Sequence, residues 1–242
     1  MATISERRVA DTVGLLQRIA ARHGPAALAS SFGAEDMVLT DLIARHALPI
    51  AILTLDTGRL PGETYALIER VRDHYRLPIE VYYPDARTLE AYVRGNGINA
   101  FYRSIELRTQ CCAIRKSEPL ERALVGRGAW ITGQRRAQSI TRGDLPVEEF
   151  DAAHGMLKFN PLADWSDDDV WSFLRANRVP YNPLHDRGYP SIGCAPCTRA
   201  IEPGEDVRAG RWWWEHPEHK ECGLHRRPLD IAVRVERVGA PS

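Results

Sequence analysis

Ser30-Ser31-Phe32-Gly33-Ala34-Glu35-Asp36 is the stretch whose reading decides the fold. It closes a short apolar run, Ala26 to Ala29, and leads into a helical pattern from Glu35 to His46. A strand that turns directly into a helix aims backbone N–H groups, and the positive end of the helix dipole, at a place where an anion can sit. An ordinary βα loop with a capping serine has the same appearance, so the segment defines a local shape before it defines a ligand.

The same alternation repeats outward from this turn. Upstream, Val9, Val13, Leu16, Ile19 and Ala20 recur at helical spacing, with Ser5 and Gly24 bounding a helix over 5–23. Downstream, Ile50 to Leu55 reads as a strand followed by Asp56-Thr57-Gly58, Pro61 to Tyr75 as a helix, and Ile79 to Tyr83 as a strand. Trp130-Ile131-Thr132 is a further strand before Gly133, and Ser166 caps a helix opened by Asp167 to Asp169. Apolar strands alternating with amphipathic helices predict an α/β fold, a mostly parallel twisted sheet with helices on both faces. Ligands of such sheets sit at the strand ends, here the loops Ser30–Gly33, Asp56–Gly58 and Gly133–Arg136. Beyond Ile201 the pattern weakens. The chain is expected to divide into an α/β domain over 1–202 and a C-terminal tail over 203–242, with Trp212-Trp213-Trp214 anchoring the tail over the pocket.

The 242 residues carry 32 basic and 32 acidic side chains, a formal net charge of +0, and this balance argues against a nucleic-acid or membrane-surface binder. No apolar run approaches the roughly 20 residues that span a bilayer, and the polar start Met1 to Arg8 lacks the apolar core of a signal peptide. A cytoplasmic protein is expected, where thiols stay reduced and cysteines read as metal ligands or nucleophiles before they read as disulfides.

There are five cysteines, and their spacing separates four from one. Cys111 and Cys112 are adjacent, and Cys194 and Cys197 form a C-x-x-C pair. Four thiols in two pairs suit an iron–sulfur cluster or a four-cysteine zinc site, and a vicinal disulfide is a third alternative. Neighbouring side chains diverge in regular structure, so Cys111 and Cys112 can share a site only where the backbone is kinked or tightly coiled. Cys222 stands apart in Glu221-Cys222-Gly223-Leu224-His225, close to His219, Lys220, Arg226 and Arg227. Positive charge favours the thiolate, the competent nucleophile. Lys116, Arg142, Arg208 and Arg211 are candidate oxyanion ligands, with Arg135 and Arg136 behind them.

These segments together resemble the phosphoadenylyl/adenylyl-sulfate reductase family of the adenine nucleotide α-hydrolase superfamily. The superfamily's loop is Ser-Gly-Gly-x-Asp-Ser, and this chain has Phe32 in place of its first glycine and Glu35-Asp36 at its end, the form found in these reductases. Leu55-Asp56-Thr57-Gly58 with Glu63-Thr64-Tyr65, Gly133-Gln134-Arg135-Arg136 with Thr141-Arg142, and Glu221 to His225 are similar to further family motifs, so the resemblance runs from about 28 to 225. The cysteine pairs resemble the assimilatory iron–sulfur branch that uses adenosine 5′-phosphosulfate. The resemblance implies a 4Fe-4S cluster on Cys111, Cys112, Cys194 and Cys197. It further implies a nucleophilic Cys222 that becomes an S-sulfocysteine, with His225 near the substrate. Ser30, Ser31, Phe32, Gly33, Leu55, Asp56 and Gly133 would hold the nucleotide, and Lys116, Arg142, Arg208 and Arg211 its phosphosulfate. The implied partner is thioredoxin or a similar dithiol, with no nucleic acid and no membrane, and room for a homo-oligomer. Alternatives are reduction of the 3′-phosphorylated nucleotide or of both, a tRNA-thiolating enzyme, and a non-catalytic zinc-stabilised adaptor.

Overall fold

The computed structural model describes residues 5–138 and 144–216. Its centre is a six-stranded sheet of β1 (Ala26–Ala29), β2 (Ile50–Leu55), β3 (Ile79–Tyr82), β4 (Ala129–Ile131), β5 (Glu148–Asp151) and β6 (Met156–Phe159), in the order β3-β2-β1-β4-β6-β5. All pairs are parallel except the β5–β6 hairpin at one edge. The chain winds from β1 outward to β3, then crosses back to β4 on the other side of β1. β1 and β4 are therefore neighbours whose following loops leave in opposite directions, and a crevice opens at their carboxyl ends.

The helices cover both faces because the strands alternate apolar side chains to both. On one face Leu28, Ile131 and Phe159 pack with α1 (Glu6–Arg22), α2 (Ala34–Arg45) and α7 (Asp167–Ala176). On the other, Ala27, Leu53 and Trp130 pack against Leu120, Ala123 and Leu124 of α6 (Glu118–Leu124). α3 (Gly62–Tyr75) sends Leu67, Ile68 and Val71 into the first layer. Burying a side chain such as Leu28 stabilises the fold by about 1.5–3 kcal/mol, and Leu28 is fully covered.

The expected helices and strands are present, displaced at their ends by a residue. Ser5 occupies the N-cap of α1 without a side-chain hydrogen bond, whereas Ser166 and Asp169 form a reciprocal capping box on α7. Sequence periodicity missed α4 (Ala86–Asn96), α5 (Ile105–Cys112), α6 and the β5–β6 hairpin. α5 has no apolar stripe to read, because the residues it buries are Arg108 and Cys111.

Candidate active site

The loop after β1 is the first wall of the crevice. Ser30 N–H continues the sheet by donating to Leu53 O (2.8 Å), and Ser30 Oγ accepts from Phe32 N–H (3.1 Å). Phe32 takes a left-handed backbone, φ 58°, with its ring fully buried in the core. That conformation costs a non-glycine residue about 1–2 kcal/mol, and burying the ring offsets it. A phenylalanine can therefore stand where the superfamily loop has glycine. Gly33 then caps α2.

The Gly133 loop after β4 is the facing wall, and Asp36 joins the two. Asp36 accepts from Ser31 N–H (2.6 Å) and Ser31 Oγ–H (2.8 Å). Burial pushes its carboxyl up to about 6, with hydrogen bonds from Ser31 and the Gly133 backbone pulling the other way and Glu35 adding to the rise. A Cβ on Gly133 would lie 2.4 Å from Asp36 Oδ1 and 2.9 Å from Glu35 Cβ, so this position needs glycine for close approach. Arg135 is consumed nearby, paired with Glu35 (2.8 Å) and Asp167 and donating to the Trp165 carbonyl (3.1 Å). Arg136 is likewise held by Asp164 and by Leu145 O (2.7 Å).

Between these walls lies a cavity of about 340 Å³, within the usual range for a small-molecule site. Ser30, Ser31, Gly33, Leu55, Lys116, Gly133, Arg208 and Arg211 all line it. Phe32 and Asp56 do not. Phe32 belongs to the core, and Asp56 shapes its own loop by accepting from Gly58 N–H (2.8 Å) and Tyr65 O–H (2.7 Å). Arg142, Cys222 and His225 lie outside the described residues.

The four cysteines of the described residues form no disulfide and come together around one small neighbouring cavity. α5 ends at Cys112, and the π-helical segment Ala113–Ser117 begins at the next residue. This is the local distortion that an adjacent pair requires, a widened turn instead of a tightened one. Cys194 and Cys197 bracket a single 3-10 turn, Ala195–Cys197, with Cys197 N–H donating to Cys194 O (2.9 Å). Arg59, Arg108, Arg115 and Lys116 line the same cavity. Burial pushes the Cys197 thiol up to about 12, with Cys194 adding to the rise and Lys116 and Arg211 opposing it. Burial also raises Cys111, against Arg115. Thiols in such a place ionise readily only when a metal compensates their charge.

The two cavities share a wall. Lys116 lines both. Thr57, which lines the larger cavity, places Oγ1 3.2 Å from Cys194 Sγ, and Arg115 donates to the Thr57 carbonyl. The start of the tail closes over this wall: Trp212 N–H donates to Cys197 O (3.1 Å), and the buried Trp212 ring lies between the guanidinium groups of Arg108 (4.9 Å) and Arg211 (4.7 Å). Arg108 is paired with the equally buried Glu215 (2.7 Å). Of the three tryptophans expected to anchor the 203–242 tail, Trp212 is buried and Trp213 is exposed, while residues 217–242 lie outside the described residues. The sequence reading missed Arg59, Arg108 and Arg115 as neighbours of the thiols. Their one local signal was proximity to Cys111-Cys112, and Arg59 had none.

Comparison with known proteins gives a consistent neighbourhood. Residues 25–200 match the family described as Phosphoadenosine phosphosulfate reductase domain. The chain is 59% identical over 220 residues to the adenosine 5′-phosphosulfate reductase of Allochromatium vinosum, covering 91% of this chain and 86% of that protein. Among solved structures it is similar to the phosphoadenylyl-sulfate reductase of Candida auris in a phosphate complex, with TM-score 0.67, 25% identity, and coverage of 83% of this chain and 99% of the other. The FMN adenylyltransferase of Candida glabrata in complex with ATP shares the fold at TM-score 0.57 and 16% identity, over 91% of this chain and 78% of that one.

Proposed function

The chain belongs to the phosphoadenosine phosphosulfate reductase family, and from that premise we propose that it reduces adenosine 5′-phosphosulfate to sulfite and AMP in assimilatory sulfate reduction, with thioredoxin or a similar dithiol as reductant. The observation that carries this reading is the shared wall: a nucleotide-sized cavity at the β1–β4 switch point whose cations, Lys116, Arg208 and Arg211, stand beside four clustered thiols. The Allochromatium vinosum relative acts, by its name, on adenosine 5′-phosphosulfate.

The 30–36 loop, Leu55 and Gly133 hold the nucleotide, and Lys116, Arg208 and Arg211, with Arg142, neutralise its phosphosulfate. Cys222, carried on the 203–242 tail, attacks the sulfate sulfur as the thiolate. A sulfur–sulfur bond forms, the bond from sulfur to the phosphate oxygen breaks, and AMP leaves with the electron pair. The same cations stabilise that departing charge. The family resemblance assigns His225 to the same site. A thiolate of the dithiol then attacks Cys222 Sγ, sulfite leaves with the bonding pair, and the second thiol resolves the mixed disulfide, so the dithiol loses two electrons and Cys222 returns to the thiolate.

Cys111, Cys112, Cys194 and Cys197 fit a 4Fe-4S cluster. Four thiols outside any disulfide surround one space, and the cations Arg59, Arg108, Arg115 and Lys116 offset the net negative charge of such a group. Among the described residues no three His, Cys, Asp or Glu side chains converge as they would around a single ion. Iron–sulfur is preferred to zinc on the family resemblance, four thiolates being the usual ligand set of a 4Fe-4S cluster. When bound, the cluster supplies a structural tie between Cys111-Cys112 and Cys194-Cys197 and a fixed charge beside Lys116. No helix of the described residues is long and apolar enough to cross a membrane, and a cytoplasmic setting, which keeps these thiols reduced, belongs to the same proposal.

The test is anaerobic purification with iron and sulfide assay, then sulfite release with thioredoxin from adenosine 5′-phosphosulfate and from its 3′-phosphorylated relative. Iron with sulfide, and sulfite from the first nucleotide, support the reading. Turnover of the second nucleotide alone reassigns the substrate, and a colourless, zinc-loaded, inactive protein overturns the proposal.

A further inference from the structure

Two of the side chains that line the cavity have no role in the reaction scheme. Gln134, in the loop after β4, is buried, and its Oε1 has no hydrogen-bond partner among the described residues. His185, on the 3-10 turn His185–Arg187, has both ring nitrogens buried, and beyond a weak contact with the Tyr189 backbone neither makes a full hydrogen bond among the described residues. Both side chains line the cavity, and the Trp171 ring meets the imidazole edge-on with 5.2 Å between centroids. Buried polar atoms are nearly always paired, so two residues with orphaned atoms beside one cavity point to a ligand that supplies the partners.

The lone pairs identify that partner's chemistry. A glutamine oxygen accepts only, so it needs a donor, and an ionised phosphate or sulfate has none to give. The surroundings also disfavour an anion. Glu35 and Asp167 line this side, and Arg135 is already paired with both. Burial lowers the pKa of His185, against Glu35, the Tyr189 backbone and Asp186, which keeps the ring uncharged at neutral pH. Lys116 and Arg211, by contrast, act on Cys197 at the thiol side. In adenosine 5′-phosphosulfate the uncharged donors all belong to the nucleoside half, as ribose hydroxyls and the adenine amino group. We propose that Gln134 and His185 bind the nucleoside half of the substrate, pairing their orphaned atoms with those donors. This rests on the nucleotide reading above and assigns the orientation of the nucleotide, with nucleoside toward Gln134 and His185 and phosphosulfate toward Lys116 and Arg211.

The test measures AMP affinity in the cluster-loaded wild type, in Gln134→Met and in His185→Phe, substitutions that keep volume and remove the polar atoms. Loss of one such hydrogen bond is expected to weaken AMP about tenfold. The KM for adenosine 5′-phosphosulfate should rise by a similar factor with kcat nearly unchanged, the mark of binding lost equally from ground and transition states. A purely structural role would instead lower iron content or melting temperature and depress kcat. Variants that bind AMP as tightly as the wild type, or that lose kcat at unchanged AMP affinity, overturn the assignment. A wild type that does not bind AMP at all overturns the nucleotide reading itself. Should His185→Phe fail to fold, its lost cluster absorbance reveals this and Gln134→Met alone decides.

Discussion

Replacing Asp36 with asparagine should change how stability depends on pH in a calculable way. The Asp36 carboxyl is buried between the Ser31 and Gly133 loops, and burial lifts it from 3.8 to about 6. At about 1.4 kcal/mol per decade, this is a cost on the order of 3 kcal/mol to hold the ionised form in the folded state. The folded pKa is the higher one, so the stabilising contribution is full below pH 3.8 and is lost as pH rises through about 6. Roughly half of the change, about 1.5 kcal/mol, falls between pH 5 and 8. Asparagine does not titrate. It also cannot accept at both oxygens, so either Ser31 or Gly133 loses an acceptor, a pH-independent penalty of about 1–3 kcal/mol. The melting temperature of the wild type, taken anaerobically at one scan rate from pH 5 to 8, should therefore fall relative to that of Asp36→Asn as pH rises. For a chain of this size the relative shift is about 3–6 °C in favour of Asp36→Asn. Parallel curves across that range would refute the reasoning, because they would mean that Asp36 has the same proton affinity folded and unfolded.

Three further outcomes are expected. Gly133→Ala drives a methyl group into Asp36 Oδ1, 2.4 Å away, and should cost about 1–3 kcal/mol of stability and at least tenfold in AMP affinity, read by thermal melting and calorimetry. Lys116→Gln removes the cation that borders both cavities; kcat/KM should fall about 10–100-fold, as for a lost charge-assisted hydrogen bond, with iron content unchanged. Phe32→Gly relieves the left-handed backbone at φ 58° but empties the core position, and the lost burial should outweigh the relief by about 2–3 kcal/mol in denaturant unfolding of the protein.

The parts of the site that could be read from sequence share one property: the signal is local. Ser30 to Gly33, Leu55 and Gly133 end apolar runs, so a period of two followed by a turn reveals them. Cys111, Cys112, Cys194 and Cys197 carry their own spacing, and Lys116 follows the first pair within a turn or so. The remainder had no local signal. Arg108 reads as a charge on a helix surface, yet it is buried against Glu215 and Trp212 from a segment about a hundred residues away. His185 and Gln134 are unremarkable in sequence and acquire meaning only as orphaned neighbours of one cavity. Asp56 and Phe32 show the opposite case. Both stand in recognisable motifs, but Asp56 orders its own loop and Phe32 fills the core, while neither lines the cavity.

Sequence alone determined the α/β alternation, the division of five thiols into four and one, and the family resemblance. All of these rest on residue chemistry and on periods that a few consecutive residues display. The tertiary structure decided which loops meet. By setting β4 beside β1, it closed the 30–36 and 133–135 loops around one cavity. By adding a π-helical turn after Cys112 and folding 194–212 back against it, it placed the thiols against the same wall. Strand order and long-range packing are chosen by the whole core together, because each such contact must repay the chain entropy of closing a long loop. A local pattern therefore carries little of that information.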